Sequence, residues 1–305
     1  MTMTKRILIG IAAATVLIAV VGCDLFGPSL DLVDVKDLPS FSSRAVSSRE
    51  DAFAGLMGAS TGMSMPLDEA VLAVEDKMYD QAQAQRVSFN PSLFTPQFNM
   101  APLRAVTYEE DYSETGNWEE GTEEGSFVLV IDDERDPDNY LRIDGEAAGE
   151  MKFEWRNEAR DGSAELNGNA DFRLLILKDI QDDYNDYVVK QGSKAHWIAD
   201  IDFSGELFDD SRADVSYNGS FDFGYTMTID GVDGQAGKYV LQISVRERNN
   251  FTITEDDDDE EVITNLFGDV EHIGTLKVYD NDNNLIGEWD LESDEMMALG
   301  MTEIE

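Results

Sequence analysis

Few residues in this chain have versatile side-chain chemistry. There is one cysteine, Cys23, and there are two histidines, His196 and His272, against 64 aspartates and glutamates. The histidines lack the HExxH or H-x-H spacing of a zinc site, so no metal centre is expected. No G-x-S-x-G, phosphate-binding loop or dinucleotide fingerprint occurs. A serine triad would have to recruit one of the two histidines, and nothing in their surroundings nominates either. Glu255 to Glu261 is an unbroken run of seven acids, and a divalent cation would relieve its internal repulsion. A solvated hairpin loop is the preferred reading. Asp280-Asn281-Asp282-Asn283-Asn284 begins like a calcium loop, but Leu285 stands where glycine is required and Leu291 where glutamate is required. A hairpin turn fits it better. Asp182, Asp183 and Asp186, with Tyr184 and Tyr187, likewise read as a loop. The acids are too numerous for any pair to be singled out for glycoside hydrolysis. The expectation is therefore a protein without catalysis, metal or cofactor.

The cysteine has a sharper context. Lys5 and Arg6 are followed by an apolar run from Ile7 to Val21, then Gly22, Cys23 and Asp24. A basic start, a short apolar run and a small residue are the parts of a secretory signal. The run is shorter than the roughly 20 residues a permanent spanning helix needs. Val20-Val21-Gly22-Cys23 resembles the lipobox of bacterial lipoproteins. That resemblance implies cleavage after residue 22, a diacylglycerol on the Cys23 sulfur and often a further acyl chain such as palmitate on the new amine. Two or more chains anchor stably. The implied location is the cell envelope, lipid-anchored and extracytoplasmic. Asp24 resembles an inner-membrane retention signal of enteric lipoproteins, a rule other bacteria do not share, so either membrane stays open. With Cys23 lipidated, no thiol is left for disulfides or catalysis.

The net charge is −42. Such a charge repels phosphate backbones and anionic bilayers, so nucleic acid is not an expected partner and the lipid must do the anchoring. Aromatic residues make up 10% of the chain and apolar residues 42%, enough for a packed core.

The elements follow from periodicity. Residues 23–47, rich in serine and containing Pro28 and Pro39, read as a lipidated tether spanning on the order of 25 Å if flexible. Residues 48–105 read as a helical and Pro-rich apolar segment. Within it a short helix is expected over 49–58 and a stronger one over 66–84, capped by Ser64 with Pro66 in its first turn. Leu67, Ala70, Val71, Val74 and Met78 would form its apolar stripe. Pro91, Pro96 and Pro102 interrupt residues 86–105, yet Phe89, Leu93, Phe94, Phe98, Met100 and Leu103 are apolar. That stretch is expected to cover an open end or edge of the sheet, or to form the lid of an apolar site. Residues 107–125 read as an acidic loop or poorly paired edge.

From about residue 126 the period is two, and 106–305 reads as one antiparallel β domain packed with the helix. Strand after strand places apolar residues on one face and polar ones on the other. Gly145, Gly149, Gly168, Gly205 and Gly219 fall midway along the dry face, where small residues permit sharp bending or close approach. The predicted fold is mainly β with an N-terminal helix (α+β): a large curved antiparallel meander, half-barrel or barrel-like, wrapping the helix. This outline is similar to the half-barrel lipid carriers of the bacterial envelope, in architecture only. An outer-membrane barrel is disfavoured, because a lipid-facing band would be bulky at mid-strand.

If the concave face is hollow, the expected ligand wall is Phe153, Trp155, Phe172, Trp197, Phe203, Phe221, Phe223 and Trp289. If it is full, the same residues are core. The leading functional reading is a membrane-tethered lipoprotein that binds or carries an apolar ligand or lipid. A structural or surface-interaction lipoprotein with a filled core is the alternative, and a carboxylate-based hydrolase a distant third.

Overall fold

Alternation with period two puts one side of every long strand in oil and the other in water, and hairpin connections then build a meander. The computed structural model describes residues 30–87, 106–117, 119–156, 161–181, 186–208, 212–255 and 261–292. Cys23 and its signal, and the apolar residues expected at 88–105, lie outside the described residues. The strands are β1 (Val106–Gly116), β2 (Glu120–Arg135), β3 (Leu141–Arg156), β4 (Asp161–Ile176), β5 (Ile180–Gln181), β6 (Val188–Val189), β7 (Lys194–Phe208), β8 (Arg212–Asp230), β9 (Gly237–Glu255), β10 (Glu261–Tyr279) and β11 (Leu285–Asp290). They form one curved, unclosed antiparallel sheet ordered β1-β2-β3-β4-β7-β8-β9-β10-β11, with the short β5 and β6 beside β8. The predicted meander is the observed topology. Of the acidic stretch 107–125, the part up to Gly116 is the edge strand β1, paired with β2 from Val106 to Gly116, so of the two expectations the edge holds and the loop does not.

Among the described residues one α-helix, α1 (Arg49–Val87), lies against the concave face. Two helices were expected. The apolar stripe explains the difference: Ala52, Leu56, Ala59, Met63, Leu67, Ala70, Val74 and Met78 recur every three or four residues straight through Pro66. Packing of that stripe outweighs the hydrogen bond and the steric room that an interior proline costs. Ser48, not Ser64, caps the helix, accepting from the Asp51 N–H at 3.1 Å, whereas Ser64 donates back to the Thr61 carbonyl at 2.8 Å. Val71 lies off the stripe and is 43% exposed. A bulge after Ile131 turns Glu134 toward the helix, where Lys77 pairs with it.

The supposed tether is, from Leu30 onward, a strap on the convex face of the same end of the sheet. The Ser42 and Ser43 N–H groups donate to the Asp230 carboxylate at 3.0 and 2.9 Å. Asn281 pairs its side-chain amide with the Phe41 backbone in both directions, at 3.0 and 2.9 Å. Leu30 and Leu32 settle over Gly224, where a Cβ would sit 2.7 and 3.0 Å from their methyls. With the helix on one face and the strap on the other, nominally wet residues become buried, among them Thr226, Thr228, Asp230 and Lys238. This three-layer end holds the main core. A second, smaller core around Phe203, Leu207, Val215 and Tyr217 occupies the far half of the sheet.

Candidate functional site

Between the two cores the dry face is made of its smallest residues. Backbone register aligns Phe127, Gly149, Gly168, Ile201 and Gly219 across five strands. The adjacent row runs Leu129, Ala147, Ala170, Ala199 and Phe221. Side chains this short cannot fill the concavity, and a cavity of about 350 Å³ remains. Among the described residues its larger apolar walls are Tyr108, Tyr112, Phe127, Met151, Leu166 and Ile201. Phe127 is 40% exposed and Met151 37%, so two apolar side chains face a space that no described residue occupies. Hollows of up to about 610 Å³ also line the convex face, but these are troughs between polar side chains such as Ser113, Glu124, Lys152 and Glu165. They are grooves of a wet surface. The smaller cavity is the one whose chemistry suits a ligand.

The predicted wall is not this wall. Phe172, Trp197, Phe223 and Trp289 pack against the main core and Phe221 lies in it. Phe172 meets Trp197 at 5.7 Å between ring centroids, and Phe223 stacks on Phe221 at 6.1 Å. Phe203 belongs to the second core, with Phe153 packed on it. Trp155 sits at the far rim, donating its indole N–H to the Asn117 carbonyl at 3.1 Å. The structure divides seven of the eight aromatics between two filled regions, sets Trp155 at the rim, and leaves the hollow where glycine and alanine coincide across strands. Large rings fill the space they occupy, so the readable signal was the register of small residues, not the list of large ones.

At one margin of the cavity the Tyr112 hydroxyl donates to the Glu123 carboxylate, and that bond pushes the phenol up to about 12. Glu110 lies on the same concave row as Phe127 and lines the cavity.

His196, read from sequence as a surface or edge residue, is only 2% exposed beneath the strap. Its Nδ1 accepts the Asp31 backbone N–H at 2.6 Å, which places the ring proton on Nε2, and Nε2 donates to Asp171 at 2.9 Å. Both nitrogens are occupied, so the ring has none to offer a nucleophile. His272 is exposed, as expected. Glu255 at the end of β9 pairs with Glu261 at the start of β10, and the acids between them lie outside the described residues. Asp280 accepts the N–H groups of Asp282 and Asn284 at 2.9 and 2.8 Å in the turn before β11. Among the described residues no group of three or more His, Cys, Asp or Glu is placed to hold a metal ion, and no helix is long and apolar enough to cross a membrane. Compared with known proteins, the chain matches no protein family, no curated protein and no solved structure.

Proposed function

We propose that this protein is an extracytoplasmic lipoprotein, tethered to the cell envelope by lipid on Cys23, that binds or carries a small apolar ligand without transforming it. The mid-sheet cavity, into which Phe127 and Met151 stand exposed, is the observation that carries the reading. A core needed only for stability would be closed to the density of an organic crystal. The export signal and the Cys23 context support the location.

The test is native mass spectrometry with lipid extraction on the Cys23→Ser protein, expressed in its own type of cell, beside the same protein carrying Gly168→Leu. Without the anchor, any lipid found is cargo. A Cβ on residue 168 would lie 3.5 Å from the Ala148 carbonyl and 4.0 Å from the Gly149 Cα, ordinary contacts, so leucine fits and its side chain fills the cavity. Leucine also suits a strand better than glycine, so a stability change within about 1 kcal/mol is expected. A stoichiometric ligand on the first protein, absent from the second, supports the carrier. A clean apo mass after incubation with envelope lipids overturns it.

A second reading, a surface-interaction protein, draws on β10. β11 pairs only with Thr275–Tyr279 there, and Val270 and Ile273 are 52% and 55% exposed on the stretch beyond. Apolar side chains along an unpaired edge suit strand addition by a partner.

A further inference from the structure

Resting on the carrier reading, we infer that the cavity takes a single-chain amphiphile with a cationic, ammonium-type head, and rejects carboxylate- or phosphate-headed lipids. Three observations lead there. The first is size. At about 350 Å³ the cavity lies near the lower end of small-molecule sites, which suits one aliphatic chain and leaves no room for the two chains and glycerol of a phospholipid.

The second is charge. Register assigns each strand position to one face, and the ionisable acids it places on the concave side include Glu110, Glu114, Glu123 and Glu247. On the same side of the described sheet strands there is no lysine or arginine. Lys77, which reaches in from α1, is already paired with Glu134. Lys152, next to the cavity in sequence, points to the convex face and pairs with Glu154 at 2.7 Å. An anionic head at the mouth would meet Glu110 and the Tyr112–Glu123 pair with no lysine or arginine of the described sheet strands on that face to offset them. A cationic head relieves the same repulsion.

The third is the kind of wall. Tyr108, Tyr112 and Phe127 line the cavity within the strands that carry those acids. Aromatic faces together with carboxylates are the chemistry that holds ammonium groups, because the ring quadrupole attracts a cation that has lost part of its water.

The experiment uses the Cys23→Ser protein and three twelve-carbon probes below their micelle concentrations: dodecylammonium, dodecanoate and dodecanol. Binding is measured calorimetrically at low ionic strength and again at high salt. Dodecylammonium is expected to bind about tenfold or more tighter than dodecanoate, with dodecanol between them. In Glu110→Gln/Glu123→Gln that preference shrinks severalfold while dodecanol binding holds, and in Gly168→Leu all three lose their saturable binding. Equal affinity for the three probes overturns the head-group assignment and leaves an apolar-ligand site standing. Ammonium binding that survives Gly168→Leu marks adsorption to a highly acidic surface, and overturns the assignment as well. Absence of binding by every probe removes the assignment and the carrier reading together.

Discussion

At the scale of single residues, Asp230 does the most to hold the N-terminal segment in place. Burial alone would raise its carboxyl, but the N–H groups of Ser43, Gly231 and Ser42 outweigh that and hold it well below the usual carboxylate range. A carboxyl depressed in the folded state contributes stability that is complete above its unfolded value, about 3.9, and is lost as pH falls through the lower folded value. Asp230→Asn keeps the shape and replaces one acceptor oxygen by a donor facing N–H groups. The expected cost is about 2 kcal/mol by urea titration at pH 7, shrinking below pH 4, where the wild type loses the same interaction. A cost that does not vary with pH would mean that packing, not the carboxylate, secures the strap. His196 marks the limit of residue-level reading. Its position on the wet side of β7 is legible from the alternation of Trp197 and Ala199, but its burial is not. That burial comes from Leu30, Asp31 and Val33, a stretch without periodicity whose docking is set by side-chain hydrogen bonds to residues more than 160 positions away.

At the scale of elements, the strands were the most readable feature, because each alternates independently and neighbours in sequence are neighbours in the sheet. Local sequence predicts two helices where there is one, since Pro66 is a strong local signal and the stripe through it emerges only when Ala52, Leu56 and Ala59 are given the same partner as Ala70 and Val74. The edge strand β1 was hardest to recognise. Glu109, Glu110, Asp111 and Glu114 argue for a loop, and pairing with β2 overrides them. Its free margin is held partly by the helix. The Gln81 side-chain amide donates to the Val106 carbonyl at 2.7 Å and accepts the Tyr108 N–H at 2.6 Å, taking the place of a neighbouring strand. Gln81→Ala is therefore expected to release the start of β1 at a local cost of about 1–2 kcal/mol. Faster amide hydrogen exchange at Val106–Tyr108, with unchanged protection in β8 and β9, is the expected record. Uniform loss of protection across the sheet would instead make the contact part of the global folding unit.

At the scale of the whole molecule, an unclosed sheet must guard its edges, and here charge does so. β1 exposes Tyr112 among acids, and β10 extends past β11 with Val270 and Ile273 exposed beside Asp269 and Glu271. Unpaired strand edges with apolar side chains template association unless like charges keep copies apart. A net charge of −42 supplies that repulsion at pH 7. Near pH 4 about half of ordinary surface carboxylates take up protons, while Asp230, held far below that range, stays ionised and keeps the strap closed. The two effects separate on the pH axis, so folded protein is expected to associate before it unfolds. Light scattering should rise as pH falls from 6 to 4 while the far-ultraviolet β signal persists. High salt at pH 7, which screens the same charges, should give a weaker rise. Ile273→Lys, which places a new charge on the β10 edge, should delay the onset if that edge is the point of contact. If the variant and the wild type associate alike, contact runs through β1 or through the convex face. If both stay monomeric to pH 4 with the fold intact, the geometry of the edges alone keeps copies apart and the acidic surface is not what prevents their pairing.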